Sequence, residues 1–296
     1  MKRLVIALGV TLAAAVVGWN SLPLLANVGP EQLNATTGDV ARGAYLARAS
    51  GCIACHTRIE DGGAPLAGGS GLETPFGTFY APNLTTDVEH GIGGWTQEQF
   101  AVALRKGISP AGKPYYPAFP YSFYTKFSDQ DIADLWAAFQ TVPAVADTVS
   151  EHDLSFPFSQ RNGLYLWQKV FFTEGRLDVA ANREEKYRRG EYLVESAAHC
   201  AACHTPRNLL GGLKRDRDYT GSVSMLQAEG QIPAITPQAL TEAGWTVKDL
   251  AWALQSGIKP DGDVFGGSMG EVVRDGTAYL QPEDLEAMAH YLMNRK

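Results

Sequence analysis

Cys52-Ile53-Ala54-Cys55-His56 and Cys200-Ala201-Ala202-Cys203-His204 decide how this chain is read, because both have the form C-x-x-C-H and together they use all four cysteines. In this pattern each thiol adds across a vinyl group of haem, and the histidine that follows brings its imidazole to the iron as fifth ligand. The rival reading is a structural zinc site built from Cys and His. Four thiolates with adjacent histidines oversupply one tetrahedral zinc, and the motifs lie 148 residues apart, so two haem c groups per chain are expected instead. Cys52, Cys55, His56, Cys200, Cys203 and His204 are the expected attachment residues, with His56 and His204 on the irons.

Working outward, the chain repeats itself. Gly94-Trp95-Thr96 and Gly244-Trp245-Thr246 open two segments that align without a gap at an offset of 150, in which Leu104 answers Leu254 and Gly107-Ile108 answers Gly257-Ile258. Before the motifs, Gly43-Ala44-Tyr45-Leu46 answers Gly190-Glu191-Tyr192-Leu193. Each half reads as a helix leading into C-x-x-C-H (39–50 and 183–198), a second helix capped by Thr96 or Thr246, and a third starting at Ser128 or near Pro282. Ile132, Leu135, Trp136 and Phe139, like Leu285, Met288, Ala289 and Leu292, recur at helical spacing and are expected in the core. Glycine-rich and proline-rich stretches such as 62–82 suit loops around a flat cofactor. The expectation is an all-α pair of tandem domains, 30–145 and 183–296, each wrapped around one haem and joined by an aromatic-rich linker, 146–182.

The alignment sets Phe119 opposite Met269, and a thioether is a frequent second axial ligand that raises the potential of a c-type haem. Met269, in what reads as a flexible loop, is the expected sixth ligand of the second iron, with Met225 in reserve. The first half has no methionine beyond the N-terminal leader. Its sixth ligand is sought among His90, His152, Tyr115, Tyr116, Tyr124, Asn83 and Lys126, or the iron is open; His90, beside Gly91 and Gly93, is the first choice.

Lys2 and Arg3 precede an apolar run from Leu4 to about Trp19, which reads as an export segment. Residues 1–26 are expected to be a signal peptide cleaved near Ala26 or a retained N-terminal membrane anchor. Either fate puts the folded part in the periplasm, and the second holds it at the inner membrane. The formal net charge of -7 makes nucleic acid an unsuitable partner and a basic protein face a suitable one. There is no phosphate-binding glycine pattern, zincin motif or convincing triad, so no catalytic residue is expected outside the haem sites.

These residues resemble the bacterial class I c-type cytochromes that form the multihaem subunit of periplasmic alcohol, gluconate and related dehydrogenases. The resemblance rests on Pro82-Asn83-Leu84-Thr85, Gly91-Ile92-Gly93-Gly94-Trp95, Tyr116-Pro117-Ala118-Phe119-Pro120-Tyr121 and Cys203-His204-Thr205-Pro206-Arg207-Asn208. It implies a dihaem cytochrome c that takes electrons from a partner dehydrogenase and passes them to the respiratory chain through quinone or another cytochrome. Those subunits usually carry three C-x-x-C-H motifs against two here, and relatives have Met at Phe119 or Phe127, which this chain does not. The alternatives are a dihaem redox enzyme of the peroxidase or thiosulfate dehydrogenase type, using the methionine-free first haem as substrate site, and a gas sensor with an open first iron.

Overall fold

A computed structural model describes residues 29, 31–34, 37–177, 182–226 and 230–296; the leader, and with it the question of cleavage or anchoring, lies outside the described residues. The first half carries α1 (Val40–Ala49), α2 (Cys52–His56), α3 (Gln97–Lys106), α4 (Tyr121–Tyr124) and α5 (Asp129–Phe139). The linker carries α6 (Gly163–Phe171). The second half carries α7 (Glu185–Tyr192), α8 (Ala201–His204), α9 (Pro237–Glu242), α10 (Val247–Ser256), α11 (Gly267–Asp275) and α12 (Pro282–Asn294).

Local sequence chemistry sets the helix ends. Asp39 caps α1 by accepting from the Arg42 N–H, and Thr96 and Thr246 form complete capping boxes with Gln99 and Asp249. Gly107 and Gly257 then end α3 and α10 in the left-handed conformation.

The same crossing builds both halves: α1 packs on α5, and α7 on α12. Gly43 and Gly190 sit at the two points of closest approach. A Cβ at Gly43 would lie 1.9 Å from the Asp134 carbonyl oxygen, and one at Gly190 would lie 1.9 Å from that of Ala287. Only a residue without a side chain lets these backbones meet, which explains why glycine recurs at this place in the repeat. The periodic residues fill the crossing, with Ile132, Leu135, Leu285, Met288 and Ala289 all buried.

The halves are tied by an exchange of tyrosines. The Tyr45 hydroxyl on α1 donates to Asp284 at 2.6 Å and accepts from the Gln281 N–H at 3.1 Å, at the start of α12. In return the Tyr192 hydroxyl on α7 donates to Asp131 and accepts from the Ser128 N–H at 2.9 Å, at the start of α5. Tyr45 and Tyr192 are equivalent in the repeat, so the halves meet with approximate two-fold symmetry. Ser128 caps α5 by accepting from the Asp131 N–H, while its own N–H bonds to Tyr192.

The helices carry the fold, but five short strands join them. β1 (Gly71–Thr74) and β2 (Gly77–Tyr80) make a hairpin within 62–82, expected as loop, and β3 (Asp153–Leu154) extends it from the linker. Gly77, at φ +121°, makes the turn possible, and a Cβ there would meet the Asp153 carbonyl oxygen at 2.2 Å. β4 (Ser222–Val223) pairs with β5 (Gln231–Ile232) in the second half. The linker is a strap bonded to both halves. Tyr165 donates to the Gly112 carbonyl and Gln168 to that of Lys106, while the Trp167 indole reaches the Leu210 carbonyl.

Candidate haem sites

The C-x-x-C-H residues form the short helices α2 and α8, with Cys200 as the residue just before α8. Each motif histidine is held from behind by a carbonyl. His56 Nδ1 lies 2.7 Å from the Pro82 oxygen and His204 Nδ1 lies 2.8 Å from the Pro233 oxygen. The Nδ1–H is therefore the donor, and Nε2 keeps its lone pair for a metal. Burial pushes the His56 imidazole down to about 4 and lowers that of His204, so both are neutral at pH 7. Burial likewise raises the Cys52 and Cys200 thiols to about 12.

Cys52, Cys55 and His56 open onto a cavity of about 2040 Å³ walled by side chains such as Ile92, Phe119 and Phe127. A small-molecule site is usually roughly 300–1,000 Å³, so this space is of a size for a large macrocycle. The accessible surface of Cys55 and His56 faces this cavity. The cavity runs on to Cys203 of the second motif. Burial raises the Cys55 thiol, and the charges of Glu271 and Cys203 add to the effect, so the two motifs are neighbours in space. Apolar walls, paired thiols and a tethered imidazole are the surroundings a covalently attached haem requires. Among the described residues no cluster of three or more His, Cys, Asp or Glu is placed to hold a metal by side chains alone, which leaves the zinc reading without a site there.

The candidates for the first sixth ligand separate by their hydrogen bonds. Asn83 bonds the Val145 carbonyl, Tyr116 that of Phe158, Tyr124 that of Ser50, and Lys126 pairs with Glu195. His152 Nδ1 accepts from the Tyr80 N–H, which puts its proton on Nε2, the wrong tautomer for a ligand through that atom. His90 and Tyr115 remain in the cavity wall. Their polar side-chain atoms take no hydrogen-bond partner among the described residues.

In the second half Met269 is partly buried and packs against the core, as do Leu213, Ile235 and Trp245. It stands in the first turn of α11 and not in a loop. The three nearby glycines read as loop, but the following Glu271–Asp275 stretch carries the helix and buries Val273 against the core. Met225 lines the first cavity, and Met288 is fully buried in the core. Arg207 is occupied, donating to the Ala202 and Gly211 carbonyls and so bracing α8.

The comparisons with known proteins decide the family. A cytochrome c family model matches residues 40–139, and the chain is 41% identical over 300 residues to a diheme cytochrome c-type protein of Cereibacter sphaeroides, covering 98% of this chain and 97% of that protein. The chain belongs to the cytochrome c family. This cytochrome carries two haem c groups and serves in electron transfer. It is also 39% identical over 261 residues to the cytochrome c subunit of a quinone-dependent alcohol dehydrogenase of Gluconobacter oxydans, and 36% identical over 261 residues to the cytochrome c subunit of a gluconate 2-dehydrogenase of Pantoea cypripedii. Those matches cover 86% of the cytochrome but only 54% and 58% of the relatives, so it spans about half the length of such subunits.

Sequence reasoning overlooked two features of the cytochrome. The carbonyls of Pro82 and Pro233 orient the motif histidines, and a backbone atom leaves no composition signal beyond the proline itself. His199 lines the first cavity although it belongs to the second half. Its signal was available, because it occupies the place held by Gly51 before the first motif.

Proposed function

We propose that the protein is a periplasmic dihaem cytochrome that takes electrons from a partner dehydrogenase and passes them toward the respiratory chain. The observation that carries this reading is the placement of both motifs side by side, with Cys55 and Cys203 on one cavity. The names of the relatives support the partner class. Haem supplies a one-electron iron couple whose potential follows axial ligand, burial and hydrogen bonding. The chain's own residues do the rest. Cys52, Cys55, Cys200 and Cys203 fix the two groups covalently, and His56 and His204 supply Nε2 to the irons. Met269 supplies a thioether in the second site, and His90 an imidazole in the first. The tandem domains are residues 30–145 and 183–296, joined by the strap 146–182. The leader directs export, as a cleaved signal peptide or an anchor to the inner membrane.

The attachment sites are tested by Cys52→Ala/Cys55→Ala and Cys200→Ala/Cys203→Ala, each of which removes both thiols of one motif. Each variant should mature with one haem by mass, and retention of two haems would refute the assignment. The role is tested by supplying periplasmic extracts with alcohols, aldoses or gluconate without oxygen. Reduction of the purified ferric protein that depends on one of these substrates supports the relay. Turnover of peroxide or thiosulfate by the protein alone, with no such reduction, would support the dihaem enzyme, which a first half without methionine beyond the leader also suits.

A further inference from the structure

The residue before each C-x-x-C-H differs between the halves in a way the repeat does not explain. Gly51 precedes Cys52 at φ +69°, and His199 precedes Cys200 at φ +38°. Both are left-handed, a region glycine enters freely and other residues enter at a cost. Strain of this kind persists where the surroundings enforce it, and it gathers at functional positions. The approach to the second motif is also longer. Cys52 is the ninth residue after Gly43, whereas Cys200 is the tenth after Gly190. The extra residue is absorbed in a π-helical turn, Leu193–Ala197, which continues α7. Such single-residue insertions are frequent near functional sites.

Insertion and left-handed backbone together send the imidazole into the other half. The His199 ring meets Tyr124 edge-on at 5.7 Å between centroids and Phe123 at 5.9 Å. A Cβ on Gly51 would stand 4.0 Å from its Cε1 atom. The residues that precede the two motifs are therefore neighbours across the approximate two-fold axis. His199 lines the same cavity as Cys52, Cys55 and Cys203. Its ring is fixed in orientation, with Nδ1 2.7 Å from the Ala197 carbonyl oxygen. The ring therefore stands beside the residue that precedes the first attachment cysteine.

We propose that His199 is a positioning residue, a wedge from the second half that sets the separation and mutual orientation of the two haem sites. The proposal rests on the reading that the two motifs carry the haems. Removing the ring leaves a gap between the motifs without disturbing either axial histidine, so the two sites should loosen relative to each other while each stays intact.

The test uses the full-length, fully oxidised holoprotein with His199→Gly and His199→Asn, since both residues tolerate left-handed backbone. Haem number is read by mass, axial ligation by electron paramagnetic resonance, and inter-haem coupling by the relaxation enhancement each ferric centre induces in the other. His199→Gly should keep two haems and unchanged ligand signals but weaken the coupling several-fold. His199→Asn should restore part of it, because the amide can still donate to the Ala197 carbonyl. Unchanged coupling in His199→Gly with both haems attached would overturn the wedge, as would an altered ligand signal for the first haem, which would make His199 a ligand. Failure of the attachment reading would show separately, in the haem count of Cys52→Ala/Cys55→Ala.

Discussion

At the scale of single residues, Gly43 and Gly190 carry more of the fold than any side chain. A methyl group at either would have to enter a space 1.9 Å from a facing carbonyl oxygen, so the crossing helices must part. Gly43→Ala and Gly190→Ala should each destabilise the holoprotein by about 1–3 kcal/mol or more, as overpacking does. Thermal unfolding followed at the haem absorption band checks this, and a melting temperature equal to wild type would refute the close approach. The motif histidines act on the same scale. Proline carbonyls select the tautomer that leaves Nε2 bare, a device no motif search reveals. The two C-x-x-C-H motifs were legible because their spacing is fixed in sequence, and the structure sets them on short helices at a common cavity. The first sixth ligand was not, because distant chain segments converge on that cavity and sequence order does not say which one reaches the iron.

At the scale of elements, the exchange of Tyr45 and Tyr192 joins the helix starts of opposite halves. Burial, followed by its bond to Asp284, pushes the Tyr45 hydroxyl up to about 12, so it remains a donor at any physiological pH. Tyr45→Phe should cost about 1.5–3 kcal/mol, the range for hydrogen bonds to charged groups. Equilibrium denaturation measures this, and loss of both hydroxyls in Tyr45→Phe/Tyr192→Phe should make the two halves unfold in separate steps. Glu195, on the π-helical turn, makes a second link between the halves. Its carboxylate meets Lys126 of the first half at 3.1 Å and accepts from Tyr219 at 2.7 Å and Tyr291 at 2.9 Å. Burial alone would raise this carboxyl, but the Lys126 charge and the donated hydrogen bonds hold it below its ordinary 4.5. A depressed carboxylate stabilises the fold above its unfolded value, and that contribution is lost as pH falls through the lower folded value. Stability should therefore decline below about pH 4.5, and Glu195→Gln should flatten this decline in a series of melting curves against pH. Capped, amphipathic helices were legible in the sequence. The 71–80 hairpin and the helix around Met269 were not, because glycine-rich composition reads as loop until strand pairing or core packing settles the backbone.

At the scale of the whole molecule, duplication explains the arrangement. Two copies of one helical unit meet about an approximate two-fold axis, and this brings the second cysteine of each motif to a common cavity. The repeat was visible in sequence at an offset of 150, but the axis was not, since it depends on tyrosines reaching between halves. Symmetry in the frame is broken at the sites: Met269 stands where the first half has Phe119. Thioether ligation raises the potential of a c-type haem. With Met269 and His90 as the proposed sixth ligands, the two centres would form a pair in which the first haem has the lower potential and feeds the second. The most direct measurement is a redox titration with near-infrared magnetic circular dichroism, applied to the wild type and to Met269→Ala. The account predicts two one-electron steps, a single methionine–iron band in the higher-potential haem, and loss of that band in Met269→Ala with the lower step unmoved. A methionine band that survives Met269→Ala, or a first haem that titrates at the higher potential, would contradict it.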